Sequence, residues 1–231
     1  MKTIGLLGGM SWESTALYYE IINKEVQKRL GSLHSAKVAM YSVDFEEIER
    51  LQHSGDWDKL GKILAEYAQN IKSAGADFLV ICTNTMHKVA PQIESVADIP
   101  IVHIADATAK ELIKDGIKKV GLLGTAFTME QDFYKSRLQE KFNLEVLTPA
   151  REDRELVHKV IYDELCLGNC KDSSKQEYLR VIDDLAKRGA EGIILGCTEI
   201  GLLVKQNDTK VKLYDTTAIH AKVAVDYALQ K

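Results

Sequence analysis

An eleven-residue stretch of this chain occurs twice, and that constrains the fold more than any other feature. Gly75-Ala76-Asp77-Phe78-Leu79-Val80-Ile81-Cys82-Thr83-Asn84-Thr85 returns without a gap as Gly189-Ala190-Glu191-Gly192-Ile193-Ile194-Leu195-Gly196-Cys197-Thr198-Glu199. Each copy runs Gly-Ala-acid, then an apolar strand, then a short polar motif, and Thr83 and Cys197 fall in the same place. Ile4-Gly5-Leu6-Leu7-Gly8 is echoed by Val120-Gly121-Leu122-Leu123-Gly124, each ahead of a helix-like stretch with paired aromatics, Tyr18-Tyr19 and Phe133-Tyr134. A weaker echo sets Ile104-Ala105-Asp106-Ala107-Thr108 against Leu213-Tyr214-Asp215-Thr216-Thr217. Glycine-ended strands are common to many α/β halves, but three segments repeated in one order point to a duplicated domain, with halves too long for a solenoid array.

The strands read as short, nearly continuous apolar runs, at 3–7, 36–43, 77–82, 101–103, 119–123, 144–147, 191–196 and 211–214. Amphipathic stretches fall between them at 12–29, 57–74, 85–96, 106–115, 130–141, 152–167, 174–187 and 217–229. Apolar strands alternating with helices predict parallel sheets covered on both faces and built from right-handed βαβ units. The expectation is therefore an α/β protein of two similar, doubly wound parallel-sheet domains. The boundaries are set at 1–100 and 101–211, with 212–231 packing back on the first. Pro91 lies inside the 85–96 stretch and is expected to end or kink its first turn.

Length and composition narrow the function. At 231 residues, two domains of roughly 100 residues each can bury a core. A net charge of −4 leaves no basic stripe for nucleic acid. No apolar run reaches the length of a membrane span, and Met1-Lys2-Thr3-Ile4-Gly5 reads directly into a strand with no signal region, so a cytoplasmic location is expected. The four cysteines, Cys82, Cys166, Cys170 and Cys197, make no disulfide framework and no zinc spacing. No G-x-G-x-x-G or Walker-type loop follows Gly8-Gly9, and no nucleophile elbow or paired-histidine metal motif is present.

In parallel α/β sheets ligands gather beyond the carboxyl ends of the strands. Four segments are expected there: Gly8-Gly9-Met10-Ser11, Thr83-Asn84-Thr85, Gly124-Thr125 and Cys197-Thr198-Glu199. If each precedes a helix, its free N–H groups and dipole suit a carboxylate. Ser11, Asn84, Thr85 and Thr198 are candidates for capping or for ligand contact. Cys197 has two readings, a thiolate eased by a helix N-terminus or a buried structural cysteine. Strand alternation turns Cys82 away from the side that Thr83 faces. His87 is placed beside the Thr83 motif, with a ligand-side role and a plain surface role both open. Trp12, Tyr18, Tyr19 and Trp57 read as packing residues. The run Glu46-Glu47-Glu49-Arg50 reads as a solvated helix face, and Gln52 at its end has no role assignable from composition.

Taken together these segments resemble the aspartate/glutamate racemases. The likeness runs nearly end to end. It is carried by Ile4-Gly5-Leu6-Leu7-Gly8-Gly9-Met10-Ser11-Trp12, Ser42-Val43-Asp44-Phe45 with Ile48 and Gln52, Thr83-Asn84-Thr85-Met86-His87, Val160-Ile161-Tyr162-Asp163-Glu164-Leu165 and Gly196-Cys197-Thr198-Glu199. The resemblance implies an active site in the cleft between two domains, no cofactor and no metal, a dicarboxylic amino acid as substrate, and homodimerisation. It implies a cysteine from each half, one thiolate removing the α-proton while the opposite thiol protonates the other face. Here the second is Cys197, but the first position holds Thr83. The resemblance further implies that Met10 and Gln52 line the substrate site and that Asn84, Thr85, Thr198 and Glu199 surround the α-carboxylate and α-amino groups. Two other readings stand beside racemisation of L-glutamate or L-aspartate. One is a single-cysteine decarboxylase or cis-trans isomerase of small dicarboxylates, and the other is an amino-acid-binding protein without catalysis.

Overall fold

A computed structural model describes residues 1–230. In chain order the elements are β1 (Ile4–Gly8), α1 (Trp12–Leu30), β2 (Val38–Ser42), α2 (Phe45–Ser54), α3 (Trp57–Ser73), β3 (Phe78–Ile81), a 3₁₀ turn (Thr85–Val89) and α4 (Ala90–Ala97). There follow α5 (Ile104–Lys114), β4 (Lys119–Gly124), α6 (Ala126–Glu130), α7 (Asp132–Phe142), β5 (Glu145–Leu147), α8 (Arg151–Asp163), α9 (Asp172–Lys187), β6 (Gly192–Gly196), α10 (Ile200–Leu203), β7 (Lys212–Asp215) and α11 (Thr216–Leu229). The chain forms two compact units, Met1–Ile104 with the stretch from His220 onward, and Ala105–Ile219. Residues 212–215, expected to go with the first unit, form β7 in the second unit's sheet, where Ile193 pairs with Leu213 and Ile194 with Tyr214.

Both sheets are parallel. The first has the order β2-β1-β3, with Ile101 adding one parallel bridge to Leu79, and the second has the order β5-β4-β6-β7. Ile4 pairs with Val38 and Phe78, while Val120 pairs with Val146 and Gly192. Ile4 and Val120 are thus equivalent, as are Phe78 and Gly192, in agreement with the two stronger sequence echoes. The weakest echo is out of register. Leu79 bridges Ile101 and Ile193 pairs with Leu213, so Leu213 corresponds to Ile101 and not to Ile104. The strand expected at 101–103 shrinks to that bridge because α5 begins at Ile104.

The repeated Gly-Ala-acid has a structural explanation in both units. Gly75 and Gly189 follow α3 and α9 with φ of +93° and +97°, a left-handed conformation that favours glycine. The acid then holds the start of the neighbouring strand. The Asp77 carboxylate accepts the Thr3 N–H at 2.6 Å, and the Glu191 carboxylate accepts those of Lys118 at 2.6 Å and Lys119 at 3.0 Å. Those backbone donors hold the Glu191 carboxyl below its usual range. Gly5 and Gly121 are equivalent close-approach positions. A Cβ on Gly5 would lie 2.6 Å from Ile71 of α3, and one on Gly121 would lie 2.5 Å from Ile193 and 3.0 Å from Leu185 of α9.

In the first unit the strand alternation sorts the core into two layers. Ile4, Leu6, Phe78, Val80 and Cys82 face Tyr18, Ile22 and Val26 of α1 and Ala221, Ala224, Val225 and Ala228 of α11. Leu7, Leu79 and Ile81 face the other way, onto Ile48 of α2, Leu60, Leu64 and Ile71 of α3, and Ile93 of α4. Each fully buried Leu or Ile in these layers contributes roughly 1.5–3 kcal/mol. In the second unit α8 buries Val157, Val160 and Ile161, and α9 buries Tyr178, Val181, Ile182 and Leu185. Both follow the i, i+3, i+4 stripe of a half-buried helix.

α2 had been legible only as a charged face. Asp44 caps it by accepting the Glu46 N–H at 3.2 Å, the charged run lies outward, and Ile48, Leu51 and Gln52 turn inward. The expected 85–96 helix divides at Val89, with Pro91 in the first turn of α4 where its missing N–H costs nothing. The expected 130–141 helix is preceded by α6 and a break at Gln131, which is extended at φ −83° and ψ 154°.

Candidate active site

The eight candidate residues fall into two groups. Met10, Gln52, Thr83, Asn84 and Thr85 belong to the first unit, and Cys197, Thr198 and Glu199 to the second. Met10 follows β1 and Thr83, Asn84 and Thr85 follow β3, while Gln52 comes from α2; Cys197, Thr198 and Glu199 follow β6.

In the first unit, Ser11 caps α1 by accepting the Ser14 N–H at 3.3 Å. Met10 is buried in the apolar layer that also holds Met86 and Ile48. Gln52 is 3% exposed, and its amide Nε2 donates to the Met86 sulfur at 3.9 Å. α2 therefore brings Gln52 against the methionine of the Thr83-Asn84-Thr85-Met86-His87 segment. Its position one residue after Leu51 and four after Ile48, on the inward stripe, is the sequence signal that composition alone did not reveal. Asn84 and Thr85 are buried, and Thr83 is half-buried. Asn84 precedes the 3₁₀ turn but makes no side-chain cap there, so capping does not account for it. Cys82 is fully buried in the opposite layer, as alternation requires, and burial pushes its thiol far above the ordinary range. Cys82 is one residue from Thr83 in sequence but faces the core.

In the second unit the strand end makes a compact polar cluster. The Cys197 thiol donates to Glu199 Oε2 at 3.0 Å, and the Thr198 hydroxyl donates to the same oxygen at 2.6 Å. Cys197, Thr198 and Glu199 are 9%, 6% and 4% exposed, so this exchange takes place out of bulk water. Burial pushes the Cys197 thiol well above its usual range, and the Glu199 carboxylate adds to that direction. Of the two readings of Cys197, burial is the one observed, and no helix N-terminus eases its ionisation. α10 is a single turn of four residues, with Glu199 before it making no side-chain cap. Thr198 likewise caps nothing and serves Glu199. At the neighbouring strand end, Thr125 does cap α6, accepting the Thr128 N–H at 3.3 Å, and His158 Nδ1 accepts the Ala126 N–H at 3.1 Å.

Tyr178 of α9 is fully buried, and its hydroxyl donates to the Val157 carbonyl at 2.9 Å. Cys166 is half-buried and Cys170 exposed, and all four cysteines are free. Among the described residues no group of His, Cys, Asp and Glu is arranged to hold a metal ion, and no helix is long and apolar enough to cross a membrane.

Comparison with known proteins gives the family. The Asp/Glu/hydantoin racemase model matches residues 7–224, and the chain belongs to that family. Its class is that of isomerases, amino-acid racemases that act without pyridoxal phosphate. The chain is 56% identical to a putative Asp/Glu racemase from Yersinia pestis, with full coverage of both chains and a TM-score of 0.93. It is 36% identical to an aspartate racemase homologue from Pyrococcus horikoshii, again over the whole of both chains, with a TM-score of 0.86. A broad specificity amino-acid racemase of Bacillus subtilis is 23% identical over 235 residues, 96% of each chain.

Proposed function

We propose that this protein racemises L-glutamate and L-aspartate, with Cys197 removing the α-proton and Thr83 serving the opposite face. The observation that carries the reading is the buried contact from the Cys197 thiol to Glu199 Oε2 at 3.0 Å. A thiol pushed upward by burial does not lose its proton to water at neutral pH. It reaches the thiolate form by passing the proton to a carboxylate already in hydrogen-bond contact, which leaves the pair's single negative charge unchanged. In this account Glu199 is the acceptor of the Cys197 proton, and Thr198 orients the accepting oxygen. This gives Glu199 a role beyond the substrate contact that the family likeness implies.

The thiolate then takes the α-proton, and negative charge develops on the substrate's α-carboxylate. Asn84 and Thr85 are the donors assigned to that charge, where preorganised hydrogen bonds lower the barrier most, while the Thr198 hydroxyl stays on Glu199. Met10 and Gln52 are assigned to the substrate's flank. The Thr83 hydroxyl, directly or through a water, gives its proton to the opposite face; Cys197 keeps the α-proton it took, Glu199 releases to solvent the proton it held, and solvent restores the proton on Thr83. Thr83 is a weak base, so turnover from the D-enantiomer is slow. Because enantiomers are isoenergetic, kcat/KM is equal in both directions, and slow D-to-L turnover comes with a low KM for the D form. The four free cysteines are in keeping with a reducing, cytoplasmic setting. Homodimerisation remains part of the same family-based proposal.

Incubation with L-glutamate, L-aspartate or maleate in D₂O, read by chiral chromatography and mass, tests this. The reading predicts D-amino acids deuterated at Cα. Isomerised maleate with untouched amino acids contradicts it, as does binding without exchange.

A further inference from the structure

Behind Thr83 lies a group of side chains that the reaction above does not use. His87 and His220 are 2% and 0% exposed, their rings stand 5.8 Å apart edge to face, and His103 lies 4.5 Å from His87. Partner types fix where the protons are. The Thr83 carbonyl is an acceptor and lies 2.8 Å from His87 Nδ1, so Nδ1 carries hydrogen. The Ile104 N–H is a donor and points at Nε2 from 3.2 Å, so Nε2 is a lone pair. His220 is the opposite tautomer: its Nε2 donates to the Val102 carbonyl at 2.6 Å, and its Nδ1 accepts from the Tyr18 hydroxyl at 2.8 Å. Val102 and Ile104 flank His103 in the segment that closes the first unit. The Thr83 loop is thereby tied through His87 to a segment that His220 holds at its other end.

The repeat shows that this clamp belongs to one copy only. With Thr83 opposite Cys197, His87 falls opposite Gly201, which has no side chain, and a Cβ there would meet Asp215 Oδ2 at 2.9 Å. The second copy orients its reacting group by the Cys197–Glu199 contact, whereas the first has a ring on the backbone of the reacting residue.

We propose that His87 is the positioning residue for Thr83, its Nδ1–H fixing the Thr83 carbonyl and with it the direction of the Thr83 hydroxyl. The proposal rests on Thr83 as the proton carrier argued above. His87 acts through Thr83 and touches no substrate. A misplacement of about 1 Å at a reacting group costs up to roughly 10²-fold in rate, so a clamp on this carbonyl governs inversion while leaving proton removal by Cys197 in place.

The test separates those two steps. In D₂O with L-glutamate, the ratio of D-glutamate formed to α-deuterium found in recovered L-glutamate is measured for the wild type, His87→Ala, His87→Gln and His87→Asn. The asparagine amide reaches the place of Nδ1 and donates to Thr83, whereas glutamine reaches that of Nε2. The ratio is expected to fall about tenfold or more in the Ala and Gln variants and to recover in the Asn variant. A purely structural role lowers both rates together and leaves the ratio alone. An unchanged ratio in His87→Ala, or an Asn variant no better than Ala, overturns the proposal. If the wild type exchanges no α-proton, the racemase reading fails, and two spectroscopic measurements still decide the positioning. Ring ¹⁵N spectra are expected to show His87 protonated on Nδ1, and the Thr83 ¹³C carbonyl shift is expected to move in His87→Ala and return in His87→Asn. An Nε2-protonated His87, or a Thr83 carbonyl unmoved in His87→Ala, overturns it.

Discussion

The end of β3 and the end of β6 are copies of one design, and they differ in what stands behind the strand-end residue. At β6 the residue is a thiol in contact with a carboxylate, so a proton has somewhere to go. At β3 it is a hydroxyl whose own carbonyl is held by a neutral histidine, so the group is steered but not made more basic. The shared parts of the repeat, Gly75 and Gly189 with Asp77 and Glu191, serve the backbone alone. Duplication thus conserved the scaffold, and the proposed chemistry sits in the positions that no longer match.

The comparison breaks most sharply at Cys197. Cys197→Ser keeps a donor for Glu199 but loses the thiolate, and α-deuterium incorporation from L-glutamate should fall by about 10³-fold or more. Exchange that persists in this variant removes Cys197 from the mechanism.

The histidine backing of the first unit has its own signature. Burial lowers His220 to about 4 from an ordinary 6.5. A depressed pKa means that the unfolded chain takes up the proton first as pH falls. The stabilisation is complete above pH 6.5 and is lost progressively as pH falls through about 4, by about 3 kcal/mol in all. Urea midpoints followed down this range should show that loss, and His220→Gln should flatten it. A wild-type profile that is flat between those limits contradicts the buried, neutral His220.

Glu199→Gln sharpens the comparison from the other side. Glutamine still accepts a hydrogen bond from the thiol but cannot take its proton, so kcat should drop by about 10²-fold. Unaltered kcat with a raised KM instead returns Glu199 to a substrate-binding role. The smallest effect is expected at Thr83→Cys, which makes the two copies alike and should raise D-to-L turnover about tenfold. No gain there counts against equating Thr83 with Cys197.

Much of this was legible in the sequence because strand periodicity and the repeat carry long-range information. The equivalence of Ile4 with Val120 and of Phe78 with Gly192 follows from the gapless copies, and the burial of Cys82 away from Thr83 follows from strand alternation. What stayed hidden depends on contacts between distant segments. Composition assigned Gln52 no role, since its burial arises from the inward stripe of α2. The His87–Ile104 and His220–Val102 bonds join residues that no local pattern links. The third echo misled because Asp106 and Asp215 share a residue type, while the sheet aligns Leu213 with Ile101. For Cys197 the sequence left two readings open, because the depth of its burial and the one-turn length of the helix after it depend on distant segments.

The central claim is that the two strand ends carry unequal proton-transfer groups. Initial rates of inversion for the wild type, followed as formation of the opposite enantiomer over a range of L-glutamate and of D-glutamate concentrations, test it most directly. The account predicts a higher kcat from the L-enantiomer with equal kcat/KM from both. Equal, high kcat from the two enantiomers would contradict it.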